Sequence, residues 1–233
     1  MWNTSLHSNM NFPAPIAVLG FLAAGGGLTL VVVGIAVAYF VRKPKFAVLL
    51  MKLTGAAATV YFGLLLGFSL GSHETTLAPG REKYFCEIDC HLAYTVLETK
   101  AVSEADGVRY IITLRTRFDE TTISSYRPKD YPLIPSPRTI ALLDEQGRAY
   151  PPQSIAGTPL MTSLIPGQSY ATQLNFALPA GTRATRFLVS TTAGWPDHLV
   201  IGDENSWLHK KTYFQLETPS RVQSESREPT TGN

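Results

Sequence analysis

Charge is the first thing missing. No Asp, Glu, Lys or Arg occurs from Met10 to Val41, and the charges crowd after Ser72. That division excludes a uniformly solvated globule and separates an apolar anchor from a soluble part. Cysteine is nearly absent: the two in the chain are too few for a scaffold stapled by disulfides. The formal net charge is only +2, so no whole-chain field attracts nucleic acid and no nucleic-acid partner is expected. The five histidines are scattered. No Gly-rich phosphate loop follows a strand, no nucleophile elbow is visible, and no paired Cys-x-x-Cys units occur. The reading is therefore non-enzymatic and without a cofactor, or an enzyme subunit whose chemistry lies in partner chains.

What is present begins with membrane. Residues 16–41 are uncharged throughout and exceed the roughly 20 needed to cross a bilayer. They lack the basic start of a signal peptide and are too long for its apolar region. Residues 46–70 form a second span, broken only by Lys52 near one end, where the lysine stem reaches the headgroups. The connection at 42–45 carries Arg42, Lys43 and Lys45, whereas the flank at 1–15 has neither Lys nor Arg. Basic residues are retained in the cytoplasm. The expectation is a two-pass membrane protein of bacterial style, with the 42–45 loop cytoplasmic and both termini and the following domain extracytoplasmic. Gly55, Thr59, Gly63, Gly67 and Gly71 recur four apart, on one helical face. Small residues admit a close neighbour: the first span, a second copy giving a homo-oligomer, or another membrane protein.

Residues 71–83 (GSHETTLAPGREK) read as a polar linker with a Pro-Gly turn. Residues 84–96 alternate, with Cys86, Ile88, Cys90, Leu92, Tyr94 and Val96 on one side, which predicts a half-buried strand. After a polar connection at 98–107, residues 108–118 alternate again and set Arg109, Arg115 and Arg117 opposite an apolar face. Paired as a hairpin, the two strands would face these arginines with Glu87, Asp89 and His91. Residues 119–138 form a long proline-rich loop and 154–164 an irregular stretch. Short runs at 139–143, 148–150, 169–178, 186–190, 199–201 and 212–216 supply further strands between Gly/Pro turns. Together they predict an all-β sandwich over residues 84–217. Residues 218–233 offer no large apolar side chain beyond Val222 and read as a disordered tail.

Within the β region an apolar strand ends in Asp144-x-x-Gly147, Tyr150 follows, and a Pro166-Gly167 turn opens a strand ending in Phe176-x-x-Pro179. This pattern resembles uncharacterised bacterial families of membrane-anchored, immunoglobulin-like extracytoplasmic domains. The resemblance covers roughly residues 84–216. It implies an immunoglobulin-like sandwich outside the cytoplasm and no known catalytic residues.

Three constellations bear on chemistry. Cys86, Cys90 and His91 make C-x-x-x-C-H, one residue longer than a haem-attachment motif. On a continuous strand the cysteines lie roughly 13 Å apart, beyond the limit near 7 Å for a disulfide. They are expected to be free thiols in the core, unless a turn or bulge intervenes. The same spacing is similar to the dinuclear copper site in subunit II of haem-copper oxidases. That family places the pair in a late loop with a His four residues on, where this chain has Tyr94. A metal- or copper-binding redox component of an envelope electron-transfer system is thus the alternative function. Second, His198, Asp203, Glu204 and His209 are metal-ligand types, though their spacing matches no known site and a polar loop is the simpler reading. Third, Tyr126, Arg127, Lys129 and Tyr131 in one loop and Trp195 and Trp207 in another are the residue types that dominate binding hot spots. They are the expected partner surface of a membrane-anchored binding or accessory module, the partner being another membrane or envelope protein.

Overall fold

The computed structural model describes residues 7–86, 90–123, 128, 130–191 and 196–216. Two helices come first, α1 (Ala14–Phe40) and α2 (Pro44–Leu70). Each carries a proline in its first turn, where the missing N–H would have had no helical partner. Both are long and apolar enough to cross a membrane. They are joined through Val41, Arg42 and Lys43, with Arg42 at φ 54°, so they form a hairpin whose free ends lie together. The helices approach where Gly34 faces Leu50, with Ala17, Ala38, Ala47 and Leu65 buried. The small-residue stripe does not serve this contact. A Cβ added at Gly55, Gly63 or Gly67 would meet nothing within 4 Å. Thr59 turns its hydroxyl back onto the Gly55 carbonyl, and Gly71 lies just past the helix end.

Among the described residues ten strands follow: β1 (Thr75–Leu77), β2 (Glu82–Phe85), β3 (Leu92–Glu104), β4 (Gly107–Phe118), β5 (Thr139–Asp144), β6 (Ala149–Tyr150), β7 (Ser154–Gly157), β8 (Ser169–Pro179), β9 (Ala184–Ser190) and β10 (Thr212–Gln215). One sheet runs β2-β3-β4-β8-β7, the other β1-β10-β9-β5-β6. All neighbouring strands are antiparallel except β1 and β10. Period-two patterning builds the space between the sheets. Tyr94, Ile112, Leu114, Leu174 and Phe176 from the first meet Leu142, Phe187, Val189 and Phe214 from the second in one core. This is the expected two-layered β domain.

Several expected elements differ. The stretch at 71–83, expected as a linker, holds β1 and the first residues of β2. The single strand expected over 84–96 is two. β2 ends at Phe85, the chain turns, and β3 returns antiparallel with Phe85 opposite Leu92. No Gly or Pro marks the reversal, so the alternation runs through it unbroken. The turn brings the Cys86 and Cys90 Cα atoms to 4.1 Å, and the two form a disulfide. The free-thiol expectation is thereby corrected. The reversal also flips the side-chain parity, so Lys83 and Phe85 share the inner side with Tyr94 and Leu92. The polar connection expected at 98–107 is mostly strand, because β3 runs on to Glu104 past a bulge at Leu97. A short strand, β7, lies in the irregular stretch, and a single 3₁₀ turn at Asp197–Leu199 replaces the strand expected at 199–201. The tail at 218–233 lies outside the described residues.

Candidate functional site

The end of the sandwich facing the helices is where side chains from distant parts of the chain converge. A strap at residues 7–12 precedes α1 and lies along β2. The Tyr84 N–H donates to the His7 carbonyl at 2.7 Å, and the Asn9 N–H donates to the Tyr84 carbonyl at 3.0 Å. Asn9 is nearly buried and works at both ends. Its Oδ1 accepts the Cys86 N–H at 2.8 Å, and its Nδ2 donates to Asp203 Oδ2 at 2.9 Å. Its carbonyl accepts the Glu204 N–H at 2.7 Å, and the Asn11 N–H donates to the Gly202 carbonyl at 2.9 Å. Gly202 is required here: it sits at φ +75°, and a Cβ would lie 2.4 Å from that of Phe12. Phe12 in turn stacks edge-on against Phe68 of α2, with centroids 4.7 Å apart.

Beneath the strap lies a buried ion pair. Lys83 is fully buried and Glu204 is 2% exposed. The lysine Nζ donates to Glu204 Oε1 at 2.7 Å, to the Val189 carbonyl at 2.9 Å and to the Thr212 carbonyl at 2.8 Å. All three ammonium hydrogens are thus used. Glu204 Oε2 accepts the Thr212 N–H at 3.1 Å. Burial pushes the Lys83 pKa down, and the Glu204 carboxylate opposes that shift. The pair ties edge strand β2 of one sheet to β9 and β10 of the other.

Asp203 and Asn205 continue the network. Asp203 Oδ1 accepts both the backbone N–H and the Nδ2 of Asn205, at 2.7 and 2.8 Å. Ser190 and Lys211 both donate to Asn205 Oδ1. Burial raises the Asp203 carboxyl to about 6, against the opposing hydrogen bonds from Asn205 and with a further push from the Glu204 charge.

On the outer face of β2 a second network forms. Arg117 donates to both oxygens of Glu82 at 2.9 and 2.7 Å, and to Asp119 at 2.9 Å. Arg115 joins at 3.1 Å. The Tyr84 phenol oxygen lies 2.8 Å from Glu82 Oε2 and 2.7 Å from Asp119 Oδ2. Burial pushes the Asp119 carboxyl up, but hydrogen bonds from Tyr84, Thr121 and Arg117 outweigh it and hold the group at about 2. The arginine face is where the alternation put it; among the described residues Arg115 and Arg117 pair with Glu82 and Asp119, and Arg109 with Glu104. Glu87 and Asp89 lie outside the described residues, and His91 is buried with its ring 5.0 Å from that of Phe118.

Between strap, disulfide and α1 opens a cavity of about 340 Å³, lined by Asn9, Cys86, His91, Arg138 and Asp203 on its polar side and by Val18 and Ile134 on its apolar side. Its Asn9 amide and Asp203 carboxylate are bonded to each other and to Cys86 and Asn205.

The expected site residues are placed as follows. Tyr126, Arg127, Lys129 and Trp195 lie outside the described residues. Tyr131 and Trp207 are exposed. The four candidate metal ligands do not converge. Glu204 is bonded to Lys83, Asp203 to Asn9 and Asn205, His198 Nδ1 to the Asn205 carbonyl at 2.6 Å, and His209 Nδ1 to the Lys210 carbonyl at 2.7 Å. Among the described residues no group of three or more His, Cys, Asp and Glu is arranged to hold a metal. The two sulfurs a copper site would use are bonded to each other. Asn9 and Lys83 were not singled out from the sequence. Lys83 carried a signal: in Glu82-Lys83-Tyr84-Phe85 it shares parity with Phe85. Asn9 carried none. Compared with protein-family models, curated proteins and solved structures, the chain matches none.

Proposed function

We propose that this chain is a two-pass, membrane-anchored, non-enzymatic binding or accessory module, whose immunoglobulin-like β domain stands outside the cytoplasm. The observation that carries this reading is the strap. It leads into α1 and is bonded to both β2 and the 202–204 turn, while α2 passes into β1 after only residues 71–74. Both membrane connections are short and held, so the domain presents its loops at a fixed place over the helix pair. The basic 42–45 connection favours its cytoplasmic placement. The Cys86–Cys90 disulfide supports an oxidising compartment for the domain. The family resemblance rests on turn chemistry that the fold uses. Asp144 accepts from the Gln146 and Arg148 N–H groups, Arg148 Nε and the Tyr150 hydroxyl, and Gly147 holds φ +77°.

The partner is another membrane or envelope protein, met by Tyr126, Arg127 and Lys129 of one loop and Trp195 and Trp207 of the other. A reporter placed in the Ala105–Asp106 turn should work only as an extracytoplasmic reporter. Cytoplasmic activity there overturns the topology. Charge reversal at Arg127 and Lys129 with Trp195→Ala should weaken capture of the membrane partner and leave the melting temperature nearly unchanged. Capture unchanged in a folded variant removes these loops as the surface.

A further inference from the structure

The domain does not stand clear of the helices. The Tyr61 hydroxyl donates to the Leu199 carbonyl at 2.7 Å, and Tyr61 lies nine residues before the end of α2, about 14 Å along the helix. Val18, a turn inside α1, lines the same cavity as Ile134. Parts of the β domain therefore lie beside the helices, below their free ends. Each helix has 27 residues, about 40 Å at 1.5 Å per residue, against a hydrocarbon core of about 30 Å. The domain reaches about 14 Å down α2, which spans that surplus of about 10 Å and enters the edge of the hydrocarbon.

The same end of the domain carries an apolar edge. Leu133 and Leu164 exchange backbone hydrogen bonds at 2.8 Å in each direction, joining two loops. Around that tie Tyr131 is 61%, Ile134 62%, Met161 61% and Ile165 44% exposed. Four large exposed side chains around one tie, with Ile134 at the cavity that Val18 of α1 also lines, mark a contact surface. Its mixture of aliphatics and one tyrosine matches the membrane–water boundary, where tyrosine rings are enriched.

We propose that this edge, at Tyr131, Ile134, Met161 and Ile165, is seated in the headgroup–acyl boundary of the outer leaflet, so that the domain is part-sunk in the bilayer. The occupant is lipid because Ile134 of the edge lines one cavity with Val18 of α1, a helix long and apolar enough to cross a membrane. The proposal rests on the reading that those helices span the membrane, and its test separates the two.

The full chain is placed in nanodiscs of phospholipid brominated at shallow or deep acyl positions. Single-tryptophan variants are made on a Trp2→Phe, Trp195→Phe, Trp207→Phe background. Ile134→Trp reports the edge and Leu30→Trp the middle of α1. Val102→Trp reports the far end of β3, ten residues and roughly 33 Å from Leu92. Ile134→Trp should be quenched several-fold more than Val102→Trp, and more by shallow than by deep bromines. Leu30→Trp should be quenched most by deep bromines. If Ile134→Trp is as bright as Val102→Trp while Leu30→Trp is quenched, the helices span and the edge belongs to a protein surface, and the proposal falls. If Leu30→Trp also stays bright, the membrane reading falls with it. Met161→Trp supplies the same readout where Ile134→Trp does not fold.

Discussion

The two ends of the sandwich are built by different means. At the end away from the helices the turns are closed mainly by local bonds. Asp144 collects donors from residues two to six positions away, and β3 passes into β4 between Glu104 and Gly107. At the end facing the helices long-range bonds join local ones. Asn9 and Asp203 are 194 residues apart, Lys83 and Glu204 121, and Asn9 and Cys86 77. One end holds a turn; the other holds the chain's distant parts, and with them the domain's seat on its helices. Damage to the first should stay local, and damage to the second should spread.

The largest effect is expected at the buried pair. Lys83→Met leaves Glu204 without its cation and should cost about 3–5 kcal/mol in a denaturant titration of the full chain. Lys83→Met with Glu204→Gln should recover part of that, because the amide no longer buries an unpaired charge. A double variant no better than the single would place the cost in packing. Next is the disulfide. Cys86→Ala with Cys90→Ala opens a short loop and should lower stability by about 2 kcal/mol, and a reductant should produce the same loss in the wild type.

Asn9→Ala comes third, at about 1–2 kcal/mol, from stranding the Cys86 N–H and the Asp203 carboxylate. Its mark is position: the loss should include faster exchange at Glu204, a residue the side chain does not touch. At the other end Gly147→Ala should cost about 1 kcal/mol, from placing a Cβ at positive φ, with no change at the strap. A cost matching that of Lys83→Met would erase the contrast between the ends.

The pH response sets two carboxyls against each other. Asp119, held at about 2 in the fold, contributes stability that is present above about pH 4 and lost as pH falls toward 2. Asp203, raised to about 6, binds its proton more tightly folded than unfolded, so stability falls as pH rises from about 4 to 6. Asp203→Asn should flatten the upper window only, and Asp119→Asn the lower.

This contrast also explains what could be read in advance. The helices were legible because absence of charge over such a length has few meanings. The β4 and β8 faces were legible because Tyr110, Ile112 and Leu114, or Leu174, Phe176 and Leu178, alternate without interruption. The turn at Asp144-x-x-Gly147 was legible because its donors and acceptors lie within a few residues. The reversal at Cys86–Cys90 was not. It uses neither Gly nor Pro, and its period-two pattern continues across the turn, so the parity of β2 was read inverted. With that inversion went Lys83, whose burial depends on Glu204 far along the chain. Asn9 sits in an uncharged flank that patterning treats as featureless. Its role exists only once β2 and the 202–204 turn have been brought beside it.

The strap is bonded into the β domain as one of its parts. Amide exchange in the full chain, read residue by residue in nanodiscs, tests it directly. The N–H groups of Tyr84, Cys86 and Glu204 donate to His7, the Asn9 side chain and the Asn9 carbonyl. They should exchange as slowly as amides in the β3–β4 ladder. Exchange of all three at the rate of open loop amides, with the ladder still protected, would show the strap detached and contradict the account.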